Sequence, residues 1–131
     1  MNILIIDDSP IKSIWSKKQI LENFRDALFF TASNGMQAKN ILEKEKIDFI
    51  VLDMQFSYFG NGEIDNLACL SVLEEMHSNP NINENIPVCI CSQGGRWDKE
   101  LDKFKNLKGF IRYGDQTADE KYKDLIEKFV R

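Results

Sequence analysis

Hydrophobic residues in this chain come as short unbroken runs separated by segments where they recur every three or four positions. Ile3-Leu4-Ile5-Ile6 and Phe49-Ile50-Val51-Leu52 are the clearest runs. Without polar alternation, such runs read as strands covered on both faces, the situation of a parallel sheet. Ala27 to Thr31, Ile86 to Cys91 and Lys108 to Tyr113 complete a set of five, with Pro87 tolerable only because it stands at a strand's start.

Between them lie helical patterns. Ser9-Pro10 supplies an N-cap and a proline at the first helical position. Ile11, Ile14, Trp15, Leu21 and Phe24 then suggest a face toward the sheet, with Lys12, Lys17, Lys18 and Glu22 outside. Ala38, Ile41 and Leu42 mark a second helix after the Ser33-Asn34-Gly35 turn, and Cys69, Val72, Leu73 and Met76 a third that stops near Pro80. Trp97, Leu101 and Phe104 predict a short fourth helix, and Tyr122, Leu125, Ile126 and Phe129 a fifth. Five strands alternating with five helices, joined by right-handed crossovers, predict an α/β three-layer sandwich with helices on both faces. The connection from Met54 to about Asp65 is longer than the roughly 2–6 residues usual for a strand-to-helix loop. Its Phe56, Tyr58 and Phe59 are candidates for an exposed aromatic patch.

Two of the apolar runs end in acids, the first in Asp7-Asp8 and the third in Asp53. In a parallel sheet these ends share one edge, where open α/β sheets bind ligands. Three carboxylates brought together repel one another unless a cation is present. Oxygen-only ligands favour hard ions, so Mg²⁺ or Mn²⁺ is the expected occupant. Ser92 closes the fourth strand at the same edge.

Composition narrows the partners. With 131 residues the chain predicts one domain, 1–131, and its net charge of −4, from 21 acidic and 17 basic residues, gives no footprint for nucleic acid. Cys69, Cys89 and Cys91 sit in apolar segments without zinc spacing and read as buried reduced thiols. Neither a basic leader nor an apolar stretch near the ~18 residues of a membrane span is present, so the expectation is a cytoplasmic chain without membrane insertion.

Four segments in this order resemble the receiver domain of two-component response regulators, over nearly the whole chain: Ile3 to Ser9, Ala32 to Ala38, Asp48 to Met54 and Pro87 to Ser92. The resemblance implies a flavodoxin-like sheet of order 2-1-3-4-5 and Asp53 as phosphoacceptor from a histidine kinase or phosphotransfer protein. It implies a metal site of Asp7, Asp8, Asp53 and the backbone carbonyl of Gln55, with Ser92 bonding the phosphoryl group and Phe110 as the aromatic switch. Output would pass to a protein partner through the last two helices and the fifth strand, Trp97 included. Where receivers carry Lys-Pro after the fifth strand, this chain has Tyr113-Gly114, and Gln93 replaces a small residue. Tyr113 in place of lysine brings a phenol without positive charge. Arg112 should point to the opposite face of its strand.

Two functions compete: a phosphorylation-driven signalling receiver, or an atypical receiver serving as a phosphorylation-independent interaction module. An aspartate-nucleophile phosphatase would want an acid two residues after Asp53, where Gln55 stands, so a turnover enzyme is not expected. His77 reads as a solvated helix-end residue rather than a phosphate carrier.

Overall fold

The computed structural model describes residues 1–64, 68–94 and 99–130. Asp65, where the long connection ends, and Trp97 lie outside the described residues. The elements are β1 (Asn2–Ile6), α1 (Pro10–Leu21), β2 (Leu28–Ala32), α2 (Gly35–Lys44), β3 (Phe49–Leu52), α3 (Ala68–Ser78), β4 (Val88–Ser92), β5 (Leu107–Arg112) and α4 (Ala118–Phe129). All five strands are parallel, in the order β2-β1-β3-β4-β5. This is the flavodoxin-like arrangement the resemblance implies.

Strand periodicity splits the core in two. Leu4, Ile6, Ile50, Leu52, Val88 and Ile90 face α2 and α3. Their neighbours Ile3, Ile5, Phe49, Val51, Cys89 and Cys91 face the side of Ile20 in α1 and Tyr122 and Ile126 in α4. Both faces of β1, β3 and β4 are therefore buried, and unbroken apolar runs are what such strands require. All three cysteines are buried free thiols.

Three expectations change. The fourth helix is, within the described residues, a 3-10 turn over Lys99–Lys103 that buries Leu101. Among the described residues four α-helices thus stand where five were expected.

The second change is the rotation of α1. Its buried residues are Lys12, Ser13, Ser16 and Ile20, while Ile11 is 72 % and Ile14 51 % exposed. The reason lies beneath the helix, where the sheet edge offers carboxylates and the Tyr122 hydroxyl rather than a purely apolar surface. Ser16 Oγ lies 3.5 Å from Tyr122 Oη and 3.9 Å from Cys91 Sγ. Trp15 and Phe24 remain partly buried against the second core, as expected of them.

The third concerns the long connection after β3. Phe56 is fully buried in the first core and Tyr58 packs against it, so of the three aromatics Phe59 alone is strongly exposed, at 69 %. The segment turns toward α2: the Met36 N–H donates to the Tyr58 carbonyl at 3.1 Å, and the Tyr58 ring lies against Gly35, where a Cβ would overlap it. Among the described residues of this connection beyond Met54, Gln55 is the one that lines the acidic cleft.

Candidate functional site

Parallel pairing sets the site. The Asp7 N–H donates to the Ala32 carbonyl at 3.0 Å and the Asp53 N–H to the Ile6 carbonyl at 2.8 Å, so each acid leaves its strand at the same level. Asp7, Asp8 and Asp53 each bring a carboxylate oxygen to within 4.8 Å of the others. The sequence-predicted convergence of the two strand ends is therefore present.

Asp8, Ser9, Lys12, Asp53, Gln55, Ser92, Gln93 and Gly94 line a cleft of about 520 Å³. Ser92 is buried at its wall, and Phe110 packs, partly buried, on the first core beside it in register with Ile90. Tyr113 lies elsewhere: its ring packs edge-on against Trp15, centroids 5.0 Å apart, on the α1 and α4 side of the sheet. Arg112 is exposed at the end of β5.

The residue that sequence reasoning misplaced is Lys12. It is 9 % exposed, and its ammonium stands 2.8 Å from Asp53 Oδ1 and 3.3 Å from Asp7 Oδ2. A signal was present in the chain. Ser9 caps α1 by accepting from the Lys12 N–H at 3.3 Å, which puts Lys12 in the first turn. A cation there opposes the helix dipole and calls for a nearby anion.

Burial and crowding leave their mark on the acids. Asp7 is pushed up to about 6, first by burial and then by the charge of Asp53; the Ser9 N–H at 2.9 Å and the Lys12 ammonium pull the other way. Burial likewise raises Asp53, against the opposing pull of Lys12 and of the Met54 N–H at 2.9 Å. Burial alone would lower Lys12, but its hydrogen bond to Asp53 and the charges of both acids outweigh that and raise it. Lys12 and the Met54 N–H both bond Oδ1 of Asp53. Among the described residues no hydrogen bond reaches Oδ2, which is the oxygen available for attack on an electrophile.

The donor set suits a hard divalent cation. Carboxylate oxygens of Asp8 and Asp53 share the cleft with Gln55, an oxygen-rich lining of the kind hard cations take.

No family model matches the chain. It is 27 % identical over 129 residues to sporulation initiation phosphotransferase F of Bacillus subtilis (strain 168), spanning 98 % of this chain and 92 % of that protein. The phosphorylated cyanobacterial phytochrome response regulator RcpA superposes with a TM-score of 0.70 at 17 % identity, covering 98 % of this chain and 92 % of that one. The Mn²⁺-bound response regulator Rcp1 gives 0.69 at 15 % identity over 99 % and 94 %. The N-terminal domain of a response regulator/sensory box/GGDEF protein from Carboxydothermus hydrogenoformans gives 0.73 at 14 % identity over 100 % and 94 %. The solved structures speak to the fold, and the bacterial relative aligns along almost its full length with the segments that form the acidic edge. Together with the order of those segments along the chain, they give this protein the fold of response-regulator receiver domains.

Proposed function

We propose that the chain is a phosphoacceptor of a two-component relay, with Asp53 the phosphorylated residue and Mg²⁺ or Mn²⁺ its cofactor. The observation that carries this reading is the meeting of three carboxylates within 4.8 Å beside a cleft walled by Ser92. Asp53 Oδ2 attacks the phosphorus of a phosphohistidine. The P–N bond breaks, its electron pair stays on the imidazole, and an aspartyl phosphate forms at Asp53.

Asp8, Asp53 and the Gln55 carbonyl would hold the cation. When bound, it supplies charge neutralisation for the incoming phosphoryl group and the attacking carboxylate. Ser92 offers its hydroxyl to a phosphoryl oxygen, and Phe110, on the neighbouring strand, is placed to report that change. The donor, a histidine kinase or phosphotransfer protein, can reach the cleft past α1. Ile14 and Lys17 flank Asp7 and Asp8 there, on the face where Ile11 is also exposed. Output is expected at β5 and α4. Among the described residues no helix is long and apolar enough to cross a membrane, and the free thiols suit a reducing cytoplasm.

The test is incubation with acetyl phosphate and Mg²⁺ followed by intact mass. The reading expects one phosphoryl group on the wild type and none on Asp53→Asn; an unmodified wild type overturns it.

One observation favours the alternative, a phosphorylation-independent interaction module. Lys12 already neutralises Asp53, and Tyr113 is committed to Trp15. If partner binding is the same for wild type and Asp53→Ala under phosphodonor, the module reading stands.

A further inference from the structure

We propose that Lys12 is the phosphoryl-binding cation of this site, supplied from the first turn of α1 instead of the end of β5. The inference rests on the phosphoacceptor reading above and adds to it a residue and a role.

Phosphorylation converts a monoanionic carboxylate into a dianionic acyl phosphate inside a cleft that already holds Asp7 and Asp8. The added charge needs a positive partner within hydrogen-bond reach, because uncompensated charge is costly where water is scarce. Among the described residues lining the cleft, Lys12 is the cation. The end of β5 does not offer one: Tyr113 packs on Trp15 and Arg112 is exposed.

The placement of Lys12 runs against the local preferences of the helix. Its ammonium is buried at the positive end of a helix, where the dipole disfavours it. It also occupies a helix face where an aliphatic residue could pack, while Ile11 and Ile14 are left to solvent. What the position provides is reach. The Nζ atom bridges Asp7 and Asp53 at 3.3 and 2.8 Å, on the acceptor itself.

Before transfer, Lys12 occupies Oδ1 and neutralises the carboxylate. After transfer, the flexible four-carbon stem lets the same ammonium move by a bond length or two from Oδ1 to a phosphoryl oxygen. No proton needs to move: the ammonium stays charged and exchanges one anionic oxygen for another. The contact with Asp7 holds the stem in place meanwhile. Because it bonds Asp53, one of the acids that would hold the cation, Lys12 also competes with a divalent ion for that carboxylate.

The experiment compares wild type, Lys12→Gln and Lys12→Arg for binding of beryllofluoride with Mg²⁺ by fluorine NMR, and of Mg²⁺ alone. The expected result is a loss of beryllofluoride affinity of about tenfold or more in Lys12→Gln, the size of one charge-assisted hydrogen bond, with partial retention in Lys12→Arg. Affinity for Mg²⁺ alone should be equal or higher in Lys12→Gln, since a competitor is gone. Unchanged beryllofluoride affinity in Lys12→Gln overturns the proposal while leaving the phosphoacceptor reading intact. A parallel loss of Mg²⁺ affinity also overturns it, because Lys12 would then only hold the carboxylates in place. A wild type that binds no beryllofluoride overturns both.

Should Lys12→Gln not fold, isotope-labelled lysine NMR of the unmodified protein decides. The Lys12 side-chain signals shift on adding beryllofluoride if the proposal holds, and stay at their Mg²⁺-bound positions if it does not.

Discussion

Replacing Lys12 by methionine should expose how strongly the acidic edge works against the fold. The ammonium lies 2.8 Å from Asp53 and 3.3 Å from Asp7. At an effective dielectric of about 20, each contact carries a gross attraction on the order of 5 kcal/mol. Much of this is offset by the desolvation of three charged groups, and losing one partner of a buried pair typically costs about 3–5 kcal/mol. The cleft admits water, so a loss of about 3 kcal/mol at neutral pH is the expected value.

The pH dependence has a definite sign. Asp7 is already raised in the fold, to about 6 from an ordinary 3.8. A raised carboxyl contributes its stability below the unfolded value and loses it as pH climbs through the folded one. For Asp7 that window runs from about 4 to about 6, and crossing it costs the wild type about 3 kcal/mol. Asp53 is raised as well and adds in the same direction. Without Lys12 both carboxyls rise further, so the deficit of Lys12→Met should be full above pH ~7 and shrink as pH falls toward ~5. Mg²⁺ should restore stability too, by about 2.7 kcal/mol at a hundredfold excess over its dissociation constant. Urea unfolding followed by circular dichroism, at both pH values and with and without Mg²⁺, measures all of this. A deficit equal in all conditions would refute the reasoning and leave lost packing as its cause.

Other expectations follow from the same structure. Asp8→Asn, at an exposed position, should weaken Mg²⁺ binding about tenfold or more by titration while changing the unfolding midpoint little, since surface substitutions usually stay within about 0.5 kcal/mol. Gly35→Ala places a methyl group into the Tyr58 ring and should cost about 1–3 kcal/mol in denaturant unfolding, with chemical-shift changes spreading through 56–61. Asn106→Ala leaves the buried Ile86 carbonyl without the Asn106 amide at 3.0 Å and removes the 2.9 Å partner of His77 Nε2. Thermal unfolding should show a loss of about 1–3 kcal/mol.

Most of the sheet was legible because strands buried on both faces must be continuous apolar runs, as β1, β3 and β4 are. The acids at their ends were legible for the same reason, since parallel pairing leaves Asp7 and Asp53 nowhere else to go. Helix α1 was misread because periodicity assigns apolar residues inward, whereas this helix crosses a polar sheet edge and turns Lys12, Ser13 and Ser16 toward it. Ile11 and Ile14 are left outside. Phe56 departs in the opposite direction: an aromatic in a long loop predicts surface, but this one fills the first core and anchors that loop. Tyr113 aligned with a lysine by position alone, and its ring found Trp15, a neighbour that no local pattern reveals.

On the phosphoacceptor reading, Asp53 alone among the converging acids takes the phosphoryl group. Borohydride reduction after acetyl phosphate treatment, with peptide mass mapping, tests it most directly. The trapped product should map to position 53 and depend on Mg²⁺. A product mapping to Asp7 or Asp8, or none at all from folded protein, would contradict it.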